Sequence, residues 1–195
     1  MKAALLAIVA VLFVGCRTPE RTPANGTPPA SEMPAAQMVA SPTTKLESFK
    51  PAAGTLVTLG YDDLGSVSGI SVDVREFRDA KGMAVRGLLV GISESQYREE
   101  RAFVDADEIA ELLKGIDALL AVQTNPTSFK NFEVRYTTRG DLELTAFNNA
   151  RGIVSYSVQA GKITKAHQFV ETPDIQKLRS IFVAAHTKLT ASGRN

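Results

Sequence analysis

Apolar and polar positions alternate along most of the second half of this chain. Phe132, Val134 and Tyr136 alternate with Glu133, Arg135 and Thr137, the period of two that marks a half-buried strand. Arg139-Gly140-Asp141 then signals a tight turn into a strand over residues 142–147. Asn149-Ala150-Arg151-Gly152 turns into residues 153–158, where Val154, Tyr156 and Val158 alternate with Ser155 and Ser157. Ala160-Gly161 turns again into residues 162–170. The same order runs through the first half, with strands predicted over residues 55–61, 70–78, 83–93 and 97–104. Turns this short make antiparallel neighbours.

Two segments switch to a helical period. Ile109, Leu112, Leu113, Ile116 and Leu120 fall at i, i+3, i+4, i+7 and i+11, a single apolar stripe. Asp105 followed by Glu108 resembles a capping box. Ile175, Leu178, Phe182, Ala185 and Leu189 form a second stripe, after an N-cap and first-turn proline at Thr172-Pro173. Each helix needs an apolar partner. The expected fold is therefore α+β, an antiparallel sheet of about eight strands with both helices on one face. The other face is left polar.

The halves also resemble each other residue by residue. Val72, Phe77, Asp79-Ala80-Lys81 and Gly82 line up without gaps with Leu142, Phe147, Asn149-Ala150-Arg151 and Gly152, 70 residues on. Phe103-Val104-Asp105 with Ile109, Leu112 and Ile116 matches Phe169-Val170-Glu171 with Ile175, Leu178 and Phe182, 66 residues on. Two anchored blocks in conserved order predict an internal duplication, spanning about residues 55–121 and 131–190. The first copy carries four extra residues between its blocks.

Lys2 and an unbroken apolar run over residues 3–14 open the chain. A bilayer-spanning helix needs about 20 apolar residues, so this run fits the core of a secretory signal peptide over residues 1–15. Phe13-Val14-Gly15-Cys16 resembles the lipobox of bacterial lipoproteins, with Phe13 where that family most often has leucine. The resemblance covers residues 1–16 and implies that Cys16 receives lipid and becomes the new N-terminus. It also implies export and a lipid anchor in the cell envelope. Arg17 stands where an aspartate marks inner-membrane retention in that family, so the resemblance favours the outer membrane, facing the periplasm. Cys16 is the only cysteine, so no intramolecular disulfide exists.

Residues 17–48 hold six of the nine prolines, among Thr, Ala and Ser. A stretch without apolar periodicity buries too little surface to offset its ordering entropy. It is expected to be a disordered linker between the anchor at residue 16 and a domain over residues 49–195. The 22 basic and 21 acidic residues balance. No basic stripe forms, which excludes nucleic acid as a natural partner.

Chemistry-bearing motifs are absent from the sequence: no nucleophile elbow, zinc-protease helix, P-loop or dinucleotide fingerprint occurs. No cofactor or metal is implied, and His167 and His186 lack neighbours at metal-ligand spacing. Asp62-Asp63 before Leu64-Gly65-Ser66 reads as turn chemistry. The mixed charges of residues 94–101 read as a solvated sheet edge. The segments that break the internal match, residues 62–69 and 94–98, are where an uncopied site would be built, near Tyr61, Asp62, Asp63, Tyr97 and Arg98.

Alternation also points Phe77 and Phe147 away from the core. Either both rings are exposed, forming an apolar centre ringed by Arg75, Arg135 and Glu143 for a partner, or a bulge swings them inward. The leading expectation is an envelope-anchored, non-enzymatic binding module with an envelope protein as partner. Two alternatives stand beside it: an exported enzyme using carboxylates of the asymmetric loops, and a structural subunit of an envelope assembly.

Overall fold

Among the described residues, eight strands form as the alternation predicts, but in two four-stranded antiparallel sheets rather than one sheet of eight. The computed structural model describes residues 43–49 and 53–192. The first sheet runs β1 (Val57–Val67), β2 (Ile70–Asp79), β3 (Ala84–Ser95), β4 (Arg98–Asp105), each strand beside the next. The second runs β5 (Glu133–Thr137), β6 (Glu143–Asn148), β7 (Val154–Ala160), β8 (Ala166–Val170) in the same sequential order. Each sheet is followed by a helix, α2 (Ile109–Leu120) after β4 and α3 (Thr172–Ser192) after β8. The architecture is α+β.

The helices are exchanged between the sheets. Helix α2 packs on β5 and β6 of the second sheet, and α3 packs chiefly on β1, β2 and β3 of the first while also touching β7 of the second. The helices touch each other, and β3 and β4 lie against β7 and β8. One core results, with Val72, Val74, Leu88 and Val104 from the first sheet meeting Leu142, Leu144, Tyr156 and Val158 from the second. Ile109, Leu112 and Ile116 of α2 and Ile175, Leu178 and Phe182 of α3 fill it. Burying each such side chain contributes about 1.5–3 kcal/mol, so neither half keeps its core if the other leaves.

The matched turns are built alike. Asp79 N–H donates to Met83 O at 3.0 Å, and Gly82 N–H to Asp79 O at 3.1 Å. The Asp79 carboxylate accepts from Lys81 and Met83 N–H at 2.9 and 2.8 Å. Asn149 repeats all four bonds with Ile153, Gly152 and Arg151, at 2.8–3.1 Å. Gly82 and Gly152 close the turns at φ +88° and +76°, a region that costs other L-residues about 1–2 kcal/mol.

The second matched block is out of register. Leu89 pairs with Phe103, so a strict copy would pair Gln159 with Phe169. Instead Gln159 pairs with His167, and Phe169 with Ser157. Strand β8 has moved two residues relative to its matched strand, which preserves facing.

Two further expectations change. Asp62 and Asp63 lie inside β1, which continues to Val67 past a bulge between Asp63 and Ser66. The Asp63 carboxylate still accepts from Gly65 N–H at 2.7 Å, so the turn chemistry serves the bulge. The reversal itself comes at Ser68-Gly69, both with positive φ, the two-residue hairpin type that continues strand twist. The expected linker also ends too late in sequence. Its last residues form a helical turn, α1 (Lys45–Ser48), docked on the first sheet. The rest of the linker, the signal segment and Cys16 lie outside the described residues.

Candidate functional site

Strand alternation gives each sheet an outward face, and the two outward faces are finished differently. On the first, Gly87 of β3 leaves a hollow: a Cβ built there would overlap Val104 O and stand 2.6 Å from Leu46 Cδ1. Leu46 fills that hollow and is buried. Asp105, 1% exposed, turns its carboxylate onto the start of α1. It accepts from Lys45 N–H at 2.9 Å and Leu46 N–H at 3.2 Å, satisfying donors a helix start leaves open.

Around this point the docked segment is clamped by charge. Glu47 pairs with Lys162 Nζ at 2.8 Å, and Lys45 Nζ with Asp107 at 2.9 Å. Arg139 reaches Asp107 at 2.8 Å and Glu108 at 3.1 Å. Burial works to raise the Glu47 carboxyl, but the Lys162 ammonium and the Thr43 and Thr44 amides outweigh it and hold the group below its ordinary range. Asp107 is lowered by hydrogen bonds from Lys45 and Arg139. Phe49 then stacks on Phe77, ring centroids 5.7 Å apart.

Among the described residues, no such segment lies over the equivalent ring of the second sheet. Phe147 meets Phe169 edge-on at 6.0 Å, and Phe169 meets His167 at 5.2 Å. Phe169 is 66% exposed. Beside this aromatic group, Glu143 sinks beneath a polar canopy and is buried. Its carboxylate pairs with Arg135 Nε at 3.0 Å and Lys165 Nζ at 3.5 Å, and accepts from Gln159 Nε2 and Thr145 Oγ1. Arg135 also pairs with Glu133 at 2.9 Å. The result is an apolar centre with a cross-linked charged margin.

The residues named from the sequence therefore separate. Phe77 and Phe147 both point outward, as alternation requires, and neither ring is swung into the core; both are half-buried. They lie on different sheets, so they do not form one centre. Arg75 belongs with the first sheet, pairing with Asp73 at 2.6 Å and lying over the Tyr61 ring at 5.0 Å. Arg135 and Glu143 belong with the second. Asp62 pairs with Lys188 of α3 at 2.6 Å in a cleft of about 200 Å³ lined also by Glu76, Arg86 and Leu189.

Tyr97 and Arg98 sit elsewhere, where β3 turns into β4, and the Arg98 guanidinium donates to Lys165 O. They do not join Tyr61, Asp62 and Asp63 in one pocket. In the cleft, hydrogen bonds from Arg86 and then Arg78 hold the Glu76 carboxyl below its ordinary range. A carboxylate fixed this way accepts hydrogen bonds and is a poor proton donor. Among the described residues no group of three or more His, Cys, Asp or Glu is placed to hold a metal ion. No described helix is long and apolar enough to cross a membrane.

The docked segment is the structural element that sequence reasoning missed. Its signal was present: Thr44-x-x-Glu47 is a capping box, and both bonds form, Glu47 N–H to Thr44 Oγ1 at 3.1 Å and Thr44 N–H to Glu47 Oε2 at 3.1 Å. No family model matches the chain, and no curated protein matches it.

Proposed function

We propose that this chain is an exported lipoprotein, acylated at Cys16, whose α+β domain is a non-enzymatic binding module of the cell envelope. The favoured site is the outer membrane, facing the periplasm, with an envelope protein as partner. The observation that carries the binding role is the outward face of the second sheet. There Phe147, Phe169 and His167 form an apolar centre bordered by Arg135, Glu143 and Lys165, the arrangement of a partner-binding patch. The docked residues 43–49 add to this reading. On this reading the chain leading from the anchor meets the domain beside β3 and β4 of the first sheet.

The domain is read as two copies of one strand-rich unit. Identical turn bonding at Asp79 and Asn149, equal strand order and the reciprocal helix exchange support it. The carboxylates of the cleft weaken the enzymatic alternative, because Asp62 and Glu76 are both held by cations.

Metabolic labelling with a fatty acid tests the anchor: the wild-type chain takes label and sediments with membranes, and Cys16→Ser does neither. An unlabelled wild-type chain overturns it. For the binding face, Phe147→Ser combined with Phe169→Ser abolishes capture of a partner from native membranes while the thermal midpoint holds. Unchanged capture by the double variant removes this face from the proposal.

A further inference from the structure

The connection from α2 to β5, residues 121–132, lies against the turn between β6 and β7, and the two enclose a cleft of about 400 Å³. That size falls in the roughly 300–1,000 Å³ range of small-ligand sites. Four asparagines line the cleft, together with Thr124 and Lys130, and its remaining lining is Ala150 and Gly152. It therefore offers hydrogen-bonding groups on nearly every side and one positive charge.

The asparagines divide into two pairs. Asn148 and Asn149 are spent on the frame. Asn148 Oδ1 accepts from Phe132 N–H at 2.9 Å, and its Nδ2 donates to Lys130 O at 2.8 Å, so Asn131 is pinned from both sides. The Asn149 carboxamide accepts from Arg151 and Ile153 N–H and donates to Ser155 Oγ at 3.2 Å, holding its own turn. Asn125 and Asn131 are exposed. Among the described residues neither of their side-chain amides has a hydrogen-bond partner, and the Lys130 ammonium has no ion pair. The matched turn of the first half is finished otherwise. Arg78 and Asp79 stand where Asn148 and Asn149 stand 70 residues on, and Arg78 pairs with Glu76 at 2.8 Å. The turn is copied, but its charged residues are replaced by neutral amides at the cleft alone.

We infer that this cleft binds an acidic sugar, a ring of hydroxyls carrying one carboxylate. A carboxamide sets two donors beside an acceptor with two lone pairs, which matches neighbouring hydroxyls that each donate and accept. Lys130, with no carboxylate among the groups lining the cleft, takes the acid group. A peptide anchors through apolar or aromatic side chains, and Ala150 gives those nothing to fill. A phosphate is met by clustered or bidentate cations, and here there is a single ammonium. The frame bonds of Asn148 and Asn149 hold the free groups in place before binding, which lowers its entropic cost. Asn131 and Asn148 also line a neighbouring hollow of about 250 Å³ that reaches Phe147, so a second sugar ring can follow the first. The inference goes beyond the protein-binding face proposed above and does not depend on it.

The test uses the full-length chain carrying Cys16→Ser, nitrogen-labelled and titrated with sugars in nuclear magnetic resonance. Glucuronic acid gives saturable shifts at the amides of Asn125, Lys130, Asn131 and Gly152. Glucose binds about tenfold more weakly, the worth of one hydrogen bond to a charged group. Acetate, with the charge and no hydroxyls, gives no saturable shift. Lys130→Met brings glucuronic acid to the affinity of glucose and leaves glucose unchanged, a selectivity that a structural lysine would not govern. Asn131→Ala weakens both sugars about threefold, as loss of a neutral hydrogen bond does. Neither variant moves the thermal midpoint, because both side chains are exposed. A disaccharide of glucuronic acid and N-acetylglucosamine separates the sources, tighter binding supporting a glycan chain and equal binding a free sugar acid. Absence of saturable shifts at these amides, equal shifts with acetate, or an unaltered titration in Lys130→Met overturns the proposal.

Discussion

Strands β1 and β5 open the two halves and hold the same place in sheets of the same order, yet they present opposite edges. One is long, uncharged over its first half and exposed there; the other is short and carries Glu133 and Arg135. The outward faces diverge in the same sense. The first is partly covered by residues 43–49 of its own chain, whereas the second shows Phe147 and Phe169 inside a charged margin. Asp105 and its sequence match Glu171 mark the difference at one residue. Both backbone amides donate to a carboxylate three residues on, to Glu108 at 3.4 Å and to Asp174 at 3.2 Å. Only Asp105 is buried under a docked helical turn. A shared scaffold sets the helices and turns, and the docked segment is held from both halves, by Asp105 and Asp107 of the first and Lys162 of the second.

The largest effect tests what the halves share. Leu112 and Leu178 are fully buried at matching places, so Leu112→Ala and Leu178→Ala each cost about 2–5 kcal/mol. Because each helix serves the other half's sheet, both variants lower one common unfolding transition. Two separate transitions in denaturant, or a loss well below that range in one variant alone, would break the equivalence.

Next comes the residue at which the halves differ. Asp105→Ala leaves the Lys45 and Leu46 amides without their acceptor, a loss of about 1–3 kcal/mol. Glu171→Ala is exposed and stays within about 0.5 kcal/mol of the parent. Limited trypsin digestion gives a sharper reading. The parent chain resists cleavage after Lys45, and Asp105→Ala is cut there. Equal protection in the two variants would show that the carboxylate does not hold the segment.

Much of this was legible in the sequence, and the failures have physical causes. Strand alternation found all eight strands, since facing is a property of each strand alone. It also placed Phe77 and Phe147 outward. What covers each ring was not legible, because Phe49 and Phe169 reach them through tertiary contact. The division into two sheets was hidden for the same reason: hairpins fix neighbouring strands and say nothing of whether β4 meets β5. Asp62-Asp63 misled because the residues that make turns also make bulges. The docked segment was hidden by composition, as a capping box with one buried leucine adds little to the average of a proline-rich stretch. The candidate patch was legible by face, and its division between two sheets was not.

A smaller effect returns to the matched turns. Gly82 and Gly152 have no atom within 4 Å of a built Cβ, so Gly82→Ala and Gly152→Ala meet backbone strain without a clash. Each costs about 1–2 kcal/mol, and the two losses agree closely, measured as denaturation midpoints at constant slope. A large difference would mean that equal hydrogen bonding conceals unequal surroundings.

The smallest effect is the acid response of the docked segment. Glu47 and Asp107 clamp it, and both carboxyls are held below their ordinary range by the cations and amides described above. A carboxyl lowered in the folded state adds stability that is fully present above its unfolded value. That stability is lost as pH falls through the folded value. The clamp therefore holds at neutral pH and weakens below about pH 4, where unfolded carboxyls already take up protons. Both groups are partly in water, so the change is a local undocking and leaves the core intact. Hydrogen exchange at the Lys45 and Leu46 amides should quicken in acid beyond the intrinsic rate, while amides of β6 and β7 keep their protection. Loss of protection in both sheets at the same pH would mean that the segment leaves only when the whole fold does, and the contrast between the halves would then be one of shape without a difference in stability.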